Sequence, residues 1–249
     1  MSLKDYYEDS YKTDSSRDLS ELQTEALQST KGLLHFVEES KSRFLPDAGW
    51  SDLKSIEMGS GLGGLSLHLA RYGANVTLVD FSATALKQAE SIFALEGLTP
   101  HTIEADLGLP NDSINQKYDL ILDSHLLHCI TSAPDRSSYF KLINDALTDR
   151  GIFVAETMVH RKKLFVPDGF IFDQNYVLWQ MFGEWKPVRK IPDSLDLEKE
   201  IIEAGLHISY FYYYGQFSFV PHRKFMDIPT EVLPASVRMV LQKKKNTQS

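Results

Sequence analysis

The chain has 249 residues and a mass of 28.3 kDa, with 43% hydrophobic and 24% charged residues, so it can bury a sizeable core and is not disordered by composition. Its 34 acidic residues outnumber 26 Lys and Arg, and the net charge of −8 argues against a protein whose main partner is nucleic acid. A single cysteine, Cys129, excludes an intrachain disulfide framework and a cluster of thiolate metal ligands.

The sequence gives no sign of a membrane or secretory protein. No apolar run approaches the roughly 18 residues that a membrane span needs. The start, MSLKDYYEDSY, has neither the apolar centre nor the cleavage site of a signal peptide. We therefore expect a soluble, cytoplasmic protein with no membrane partner. At roughly 150 residues per domain, the length allows one or two domains.

The first 45 residues predict a helical arm ahead of the main domain. Residues 1–18 are polar and carry Tyr6, Tyr7, Tyr11 and Arg17, which would either cover a bound ligand or remain disordered. From Leu19 to Phe44, apolar residues recur at helical spacing, and Gly32 allows either one long helix or two shorter ones. We predict an arm or cover over residues 1–45 and the main domain over residues 46–249.

From residue 53 onward, short β-like runs alternate with amphipathic helices. Alternation of this kind predicts a parallel sheet with helices on both faces. Ser82 is the predicted N-cap of the helix after the second strand. Two late runs have no helix between them, so they should pair as antiparallel strands. The predicted strands are 53–58, 75–79, 101–105, 118–122, 152–156, 207–214 and 237–241.

An aromatic segment at about 158–193 interrupts this alternation without a clean period. We predict that it is an insertion over the substrate site, although aromatic side chains in such a segment are more often ordinary core. The basic run at 160–163 is either a contact for a substrate carboxylate or phosphate, or a solvated face. The aromatic residues concerned are Phe170, Phe172, Tyr176, Trp179 and Trp185.

The sharpest local signal is a glycine turn, EMGSGLGG at 57–64, between a predicted strand and a helix. Glycines permit a tight turn and the close approach of a ligand, and Gly59, Gly61 and Gly64 satisfy a dinucleotide fingerprint. Asp80 closes the next strand, 21 positions after Gly59, where an acid can accept hydrogen bonds from both hydroxyls of an adenosine ribose. This feature suits NAD and S-adenosylmethionine equally.

Three further features favour the cationic cofactor. Glu57 lies two residues before the first glycine, where a buried carboxylate would repel a pyrophosphate and attract a cation. Asp106 follows the third strand, where it can accept a hydrogen bond from an adenine amino group. The third feature is the antiparallel pair of strands at the C-terminal end.

On these motifs the chain resembles the class I S-adenosylmethionine-dependent methyltransferases over roughly residues 30–242. The motifs are E-x-G-x-G-x-G at 57–63, LVD at 78–80, EAD at 104–106 and YDLILDSHLLH at 118–128. The resemblance implies an α/β fold of the Rossmann-like type, a doubly wound seven-stranded sheet in the order 3-2-1-4-5-7-6 with strand 7 antiparallel. It also implies that S-adenosylmethionine lies across the carboxyl ends of strands 1 to 4.

The resemblance further implies which residues contact the cofactor. The glycines lie under its methionine and ribose, Asp80 binds the ribose, and Phe81 packs beside the adenine. Asp106 and Leu107 lie at the adenine edge, with a turn cap as the alternative for Asp106. Asp123 and Ser124 end the fourth strand near the methionine amine and the sulfonium. The predicted cofactor-binding residues are Glu57, Gly59, Ser60, Gly61, Asp80, Phe81, Asp106, Leu107, Asp123 and Ser124.

The predicted reaction is in-line transfer of a methyl group to a small-molecule acceptor. His125 is the first candidate for a general base or acceptor orienter, and the alternative is a histidine that caps or packs the next helix. His128, Glu156 and His222 are weaker candidates. No residues have metal-ligand spacing, so no metal is predicted. Two alternatives stay open: an NAD(P)-dependent oxidoreductase using the same glycine turn, and a non-catalytic S-adenosylmethionine-binding protein. The acceptor and the oligomeric state stay undetermined.

Overall fold

Ten strands and six α-helices make up the chain in the computed structural model, which describes residues 3–14, 16–109, 112–160, 164–166, 168–216 and 232–244. The strands are β1 (Lys54–Met58), β2 (Asn75–Asp80), β3 (His101–Glu104), β4 (Tyr118–Ser124), β5 (Leu147–Val159), β6 (Phe170–Phe172), β7 (Val177–Met181), β8 (Trp185–Lys190), β9 (Leu206–Gln216) and β10 (Ala235–Lys243). The helices are α1 (Leu3–Asp14), α2 (Leu19–Phe44), α3 (Gly64–Arg71), α4 (Ala83–Ala94), α5 (Ala133–Ala146) and α6 (Ser194–Glu203). Two short 3₁₀ turns lie at Trp50–Asp52 and Leu127–Cys129.

Seven of the strands form one sheet in the order β3-β2-β1-β4-β5-β10-β9. Strands β1 to β5 are parallel to one another, and β10 is antiparallel to both of its neighbours. The predicted fold class is thereby confirmed, including the reversed strand. The two late runs pair directly because no helix intervenes to return the chain in the parallel sense.

Apolar cores cover both faces of this sheet. One core packs α2, α3 and α4 against side chains such as Leu78 and Leu120, and the other packs α5 and α6 against Ile121 and Phe153. Neighbouring residues of β4 thus enter opposite cores, as the period of two of a strand requires. Side chains cap four helices: Asp18, Ser82, Ser132 and Asp193 each accept a hydrogen bond from a backbone N–H of the following turn. Within the described residues, no helix is both long and apolar enough to cross a bilayer.

The element bounds differ from the sequence prediction where tertiary pairing decides them. β5 covers 147–159 rather than 152–156, because β4 and β10 both pair along it. α2 runs unbroken through Gly32. The segment without a clean period forms a separate three-stranded antiparallel sheet, β6-β7-β8. Its strands are short and a register shift interrupts β7 between Leu178 and Trp179, which explains why no period is visible in the sequence.

The N-terminal helix α1 docks on the start of α4. Glu8 of α1 accepts hydrogen bonds from the hydroxyls of Ser82, at 2.5 Å, and of Thr84. Gln88 in α4 donates to the backbone oxygen of Tyr11 at 2.8 Å. A carboxylate at a helix N-terminus interacts favourably with the helix dipole, so Glu8 contributes electrostatically as well. These contacts hold α1 across the carboxyl ends of the strands.

α2 and α3 approach each other most closely at Gly64. A Cβ atom on Gly64 would lie 2.2 Å from the backbone oxygen of Ala26, so no larger residue fits without moving a helix. We expect Gly64→Ala to lower the free energy of unfolding by about 2 kcal/mol or more, because overpacking a rigid contact forces backbone shifts. Urea unfolding monitored by circular dichroism tests this prediction.

Gly215→Ala is the matched control, since no atom of the described residues lies within 4 Å of its Cβ position. It should change stability by less than about 0.5 kcal/mol. Equal stability of the two variants would contradict the close approach at Gly64.

Candidate functional site

A cavity of about 670 Å³ opens at the carboxyl ends of the central strands, beneath α1. It lies at the point where the strand order reverses, between β1 and β4, the usual ligand position in an open α/β sheet. A second cavity of about 320 Å³ lies on the other side of the glycine turn, toward α2. Four residues line both cavities, Tyr11, Gly59, Ser124 and His125, so the two form one continuous site.

The structure brings nine of the ten predicted cofactor-binding residues to the lining of this site. The larger cavity is lined by Gly59, Asp80, Phe81, Asp106, Leu107 and Ser124. The smaller one adds Glu57, Ser60 and Gly61. Asp123 is the exception. The site also receives residues that the sequence analysis did not propose, among them Leu126, Met158 and Arg189.

The glycine turn is tied to the end of β2 by Asp80. One oxygen of the Asp80 carboxylate accepts a hydrogen bond from Gly61 N and the other from Ser82 N, each at 2.9 Å. The φ angles of Gly59 and Gly61 are +65° and +51°, a conformation that favours glycine at both positions. Burial raises the pKa of Asp80, and the hydrogen bonds from Ser82 and Gly61 partly oppose that rise. The site therefore holds a carboxylate whose charge is disfavoured by burial, next to a glycine turn that has few side chains.

Glu57 is a second buried carboxylate, on β1. Only 2% of the residue is exposed, and Oε2 accepts a hydrogen bond from Ser66 N, in the first turn of α3, at 3.0 Å. Burial raises its pKa to about 7; the Ser66 hydrogen bond lowers it, and the charges of Asp123 and Asp80 raise it further. A cation bound nearby would favour the ionised form of Glu57.

Asp123 has a different position from the one predicted. It is fully buried and lines neither cavity. Its Oδ1 accepts hydrogen bonds from Leu126 N at 2.7 Å and Leu127 N at 3.3 Å, and its Oδ2 accepts one from the Tyr139 hydroxyl at 2.6 Å. Burial raises its pKa to about 6, although the Tyr139 and backbone hydrogen bonds oppose the shift. Its carboxylate holds the backbone turn that carries His125.

The residues predicted at the adenine edge lie at the far end of the larger cavity. Asp106 accepts a hydrogen bond from Gly108 N at 3.0 Å, so it caps a turn and lines the cavity at once. Phe81 makes an edge contact with Tyr7 of α1, with 6.0 Å between ring centroids. Phe81 thus joins the cavity wall to the helix above it.

His125 lies at the centre of the site. Its φ angle is +80°, and Tyr176 is the only other described non-glycine residue with a positive φ. Such backbone strain is concentrated at functional positions. Nε2 of His125 lies 3.4 Å from Oε1 of Glu156, at the carboxyl end of β5. The imidazole is therefore held by a buried carboxylate while it lines both cavities.

The wall beyond His125 combines apolar and polar groups. His128 is buried, with Nδ1 3.3 Å from Thr157 Oγ1, and burial holds its pKa well below the usual range, so it is neutral. Burial also raises the pKa of Tyr7 to about 12, and its hydroxyl lies 4.0 Å from Sγ of Cys129. Arg189, on β8, interacts with the same hydroxyl.

The predicted aromatic lid does not line either cavity. Phe170 and Phe172 pack into a small core with Leu178 and Val188, and Trp179 donates a hydrogen bond to Asp173 at 2.9 Å. Tyr176 packs on the ring of His160, and Trp185 is exposed. The insertion instead contributes Arg189, which carries no recognisable signal in the sequence. Residues 161–163 of the basic run and His222 lie outside the described residues.

One protein-family model matches part of the chain. Residues 56–153 match the family model described as a methyltransferase domain, a range that includes the glycine turn, Asp80, Asp106 and His125. No curated protein sequence matches the chain.

Solved structures share the fold at low sequence identity. An S-adenosylmethionine-dependent methyltransferase from Clostridium acetobutylicum ATCC 824 is 20% identical, with a TM-score of 0.56 over 85% of this chain and 98% of the other. A putative methyltransferase of the same kind from Listeria monocytogenes is 16% identical, with a TM-score of 0.60 over 88% and 99%. The [4+2]-cyclase SpnF is 15% identical, with a TM-score of 0.60 over 84% and 81%. The fold alone therefore does not fix the reaction.

The raised pKa of Glu57 generates a prediction about stability. Because the folded-state pKa of about 7 lies above the ordinary value of 4.5, the stabilisation from protonated Glu57 is complete below pH 4.5 and is lost as the pH rises through 7. Glu57→Gln keeps the acceptor for Ser66 N and removes the charge. At pH 8 it should stabilise the ligand-free protein by up to about 3 kcal/mol, a rise of several degrees in Tm.

Thermal unfolding at pH 8 and pH 5 measures this effect. The gain should fall to about 1 kcal/mol or less at pH 5, and Glu90→Gln, an exposed acid on α4, should show no gain at either pH. If Glu57→Gln is no more stable than the wild type at pH 8, ionised Glu57 does not destabilise the folded protein and its pKa is not raised.

Proposed function

We propose that this chain is a class I S-adenosylmethionine-dependent methyltransferase, and that it transfers the methyl group of its cofactor to a small-molecule acceptor in the larger cavity. The observation that carries the proposal is the continuity of the site through His125. This residue lines the cavity beside the glycine turn and also the cavity that extends to Tyr7, Met158 and Arg189. Cofactor and acceptor would meet at His125.

The residues of the site fit S-adenosylmethionine better than a dinucleotide. Asp80 and Asp106 offer acceptors toward the ribose and adenine, and Glu57 places a carboxylate where a pyrophosphate would be repelled. The buried hydroxyl of Ser60 has no hydrogen-bond partner in the part of the chain that the structure describes, so a bound ligand would satisfy it. The methyltransferase match supports the same choice over the NAD(P)-dependent alternative.

The shape of the acceptor end favours a small molecule. Tyr7 of α1 and Arg189 of β8 line it on two sides, and the cavity stays partly open to solvent. A cavity of about 670 Å³ shared by cofactor and acceptor is in the range of small-molecule sites.

The chain's own groups position the reactants rather than form covalent bonds with them. The bound cofactor supplies an electrophilic methyl group on a sulfonium, and transfer leaves the bonding electron pair on sulfur. Alignment of the acceptor atom beneath α1 provides most of the acceleration, an effect worth up to about 7–11 kcal/mol. Where α1 and the bound acceptor would exclude water, fewer solvent molecules have to reorganise as the positive charge on sulfur is lost.

His125 is the proposed base when the acceptor atom carries a proton. The acceptor loses that proton to the imidazole as its new bond to the methyl carbon forms. With 40% of its side chain exposed, His125 can then release the proton to solvent. An acceptor that reacts as a carbon nucleophile or as a thiolate would need His125 only for orientation.

Cofactor binding is tested at Asp80. We expect Asp80→Ala to weaken the binding of S-adenosylmethionine and S-adenosylhomocysteine by about 1–3 kcal/mol, or roughly 5- to 150-fold, because it removes charged hydrogen-bond acceptors. Titration calorimetry measures both ligands. Asp149→Ala, a fully exposed acid near the start of β5, is the control and should leave both affinities unchanged. Unchanged binding in Asp80→Ala would place the adenosine elsewhere.

Methyl transfer is tested by a mass-detected screen of anionic, neutral and cationic small acceptors. For an acceptor with a reactive O–H or N–H, His125→Asn should lower kcat by about 10²- to 10⁴-fold, since the base is lost. Asn also tolerates a positive φ, so the turn is retained. The affinity for the cofactor serves as the control and should not change. Full turnover in His125→Asn would reject the base, and binding without turnover of any acceptor would favour the non-catalytic alternative.

A further inference from the structure

His125, Glu156 and Arg238 lie in one row across three neighbouring strands. In the sheet register, Ser124 of β4 pairs with Glu156 of β5, and Glu156 pairs with Arg238 of β10. His125 follows Ser124 directly. The antiparallel insertion of β10 therefore brings an arginine from near the C-terminal end of the chain to the carboxyl end of β5.

The carboxylate of Glu156 is shared between the two neighbouring side chains. Its Oε1 lies 3.4 Å from Nε2 of His125, and its Oε2 accepts a hydrogen bond from Nε of Arg238. Glu156 is 6% exposed and Arg238 4%. A buried ion pair of this kind has its geometry fixed by its surroundings, because leaving either charge unpaired is costly.

Arg238 is itself held from two sides. Its Nη1 donates to the backbone oxygen of Gly32 in α2 at 2.9 Å, and its guanidinium carbon lies 3.3 Å from the ring centroid of Tyr214 in β9. A planar guanidinium suits this stacked, multiply bonded position, and a lysine would not.

These contacts determine the protonation state of Glu156. Burial raises its pKa, but the hydrogen bond with His125 and the charge of Arg238 outweigh burial and lower it. The carboxylate is therefore ionised at neutral pH and can only accept hydrogen bonds. Its neutral imidazole neighbour must then present a protonated Nε2 to it, which leaves Nδ1 as the basic nitrogen.

We propose that Glu156 and Arg238 are positioning residues that fix His125 as the Nε2–H tautomer, with Nδ1 as the nitrogen that faces the reaction. Only the use of Nδ1 as a base rests on the proposed function. The tautomer itself is a property of the resting protein and needs no substrate. The strained φ of His125 fits this role, because the turn holds the imidazole against Glu156 rather than in the conformation a free histidine would adopt.

Nitrogen-15 NMR of protein labelled at the histidine rings tests the tautomer directly. The chain has 8 histidines, and the signal lost in His125→Asn assigns His125. At a pH where this ring is neutral, the wild type should show a protonated Nε2 and an unprotonated Nδ1. Glu156→Gln, whose amide can donate to Nε2, should move the population toward Nδ1–H. An Nδ1–H ring in the wild type, or an unchanged tautomer in Glu156→Gln, would overturn the proposal.

Kinetics separate positioning from simple structural support. For an O–H or N–H acceptor, Glu156→Gln should lower kcat by about 10²-fold or more while the KM for S-adenosylmethionine stays unchanged. Arg238→Lys should retain more activity than Arg238→Met, since it keeps the charge beside Glu156. Glu96→Gln breaks the Arg71–Glu96 ion pair far from the cavity and is the control for lost ion pairing. If kcat falls as much in Glu96→Gln as in Glu156→Gln, Glu156 only stabilises the fold and does not position His125.

The two proposals fail in distinguishable ways. If His125→Asn retains full turnover but the wild-type ring is Nε2–H, the base is rejected and the positioning of His125 stands. If His125→Asn abolishes turnover but Glu156→Gln leaves the tautomer and kcat intact, the base stands and Glu156 and Arg238 are structural only.

Discussion

The paired hydrogen bonds that Asp80 accepts from Gly61 and Ser82 are the constraint on which the site depends. They join the glycine turn after β1 to the start of α4 after β2. They therefore fix the spacing of the segments that follow the carboxyl ends of these two neighbouring strands. α1 in turn docks on Ser82 through Glu8. The Asp80 carboxylate therefore fixes the glycine turn, which lines the cavity. The helix that covers the cavity, α1, docks on Ser82, which donates to the same carboxylate.

The site concentrates buried acids at the expense of stability. Burial raises the pKa values of Glu57, Asp80 and Asp123, all within the carboxyl ends of three adjacent strands. Water solvates such groups better than protein does, so the empty fold carries an unfavourable electrostatic term. A ligand with a fixed positive charge relieves that term on binding. Hydrogen bonds from Tyr139 and two backbone N–H groups partly compensate the burial of Asp123 and oppose the rise in its pKa.

Sequence patterns predicted the parts of the molecule that depend on local chemistry. The alternation of strands and helices with one missing crossover predicted a parallel sheet with one reversed strand, and the family resemblance supplied the strand order. Residues such as Glu57, Asp80 and Ser124 line the site because strand ends meet at one edge. The roles of Asp123, Arg189 and Arg238 could not be predicted, because each depends on a neighbour that is distant in the chain. Asp123 accepts a hydrogen bond from the buried Tyr139. Arg189 lines the cavity from the small sheet, whose sequence shows no period. Arg238 lies beside Glu156 because of the register in which β10 pairs with β5.

The position of β10 between β5 and β9 also has a consequence for the way the chain folds. β9 pairs with β10 and with no other strand of the large sheet, and β10 separates it from β5. During synthesis from the N-terminus, β5 therefore keeps an open edge and β9 stays unpaired until β10 has left the ribosome. Closure of the sheet brings together segments that are far apart in sequence, which is a slow, topology-limited step. Until then the nascent chain exposes two strand edges that invite pairing with other chains.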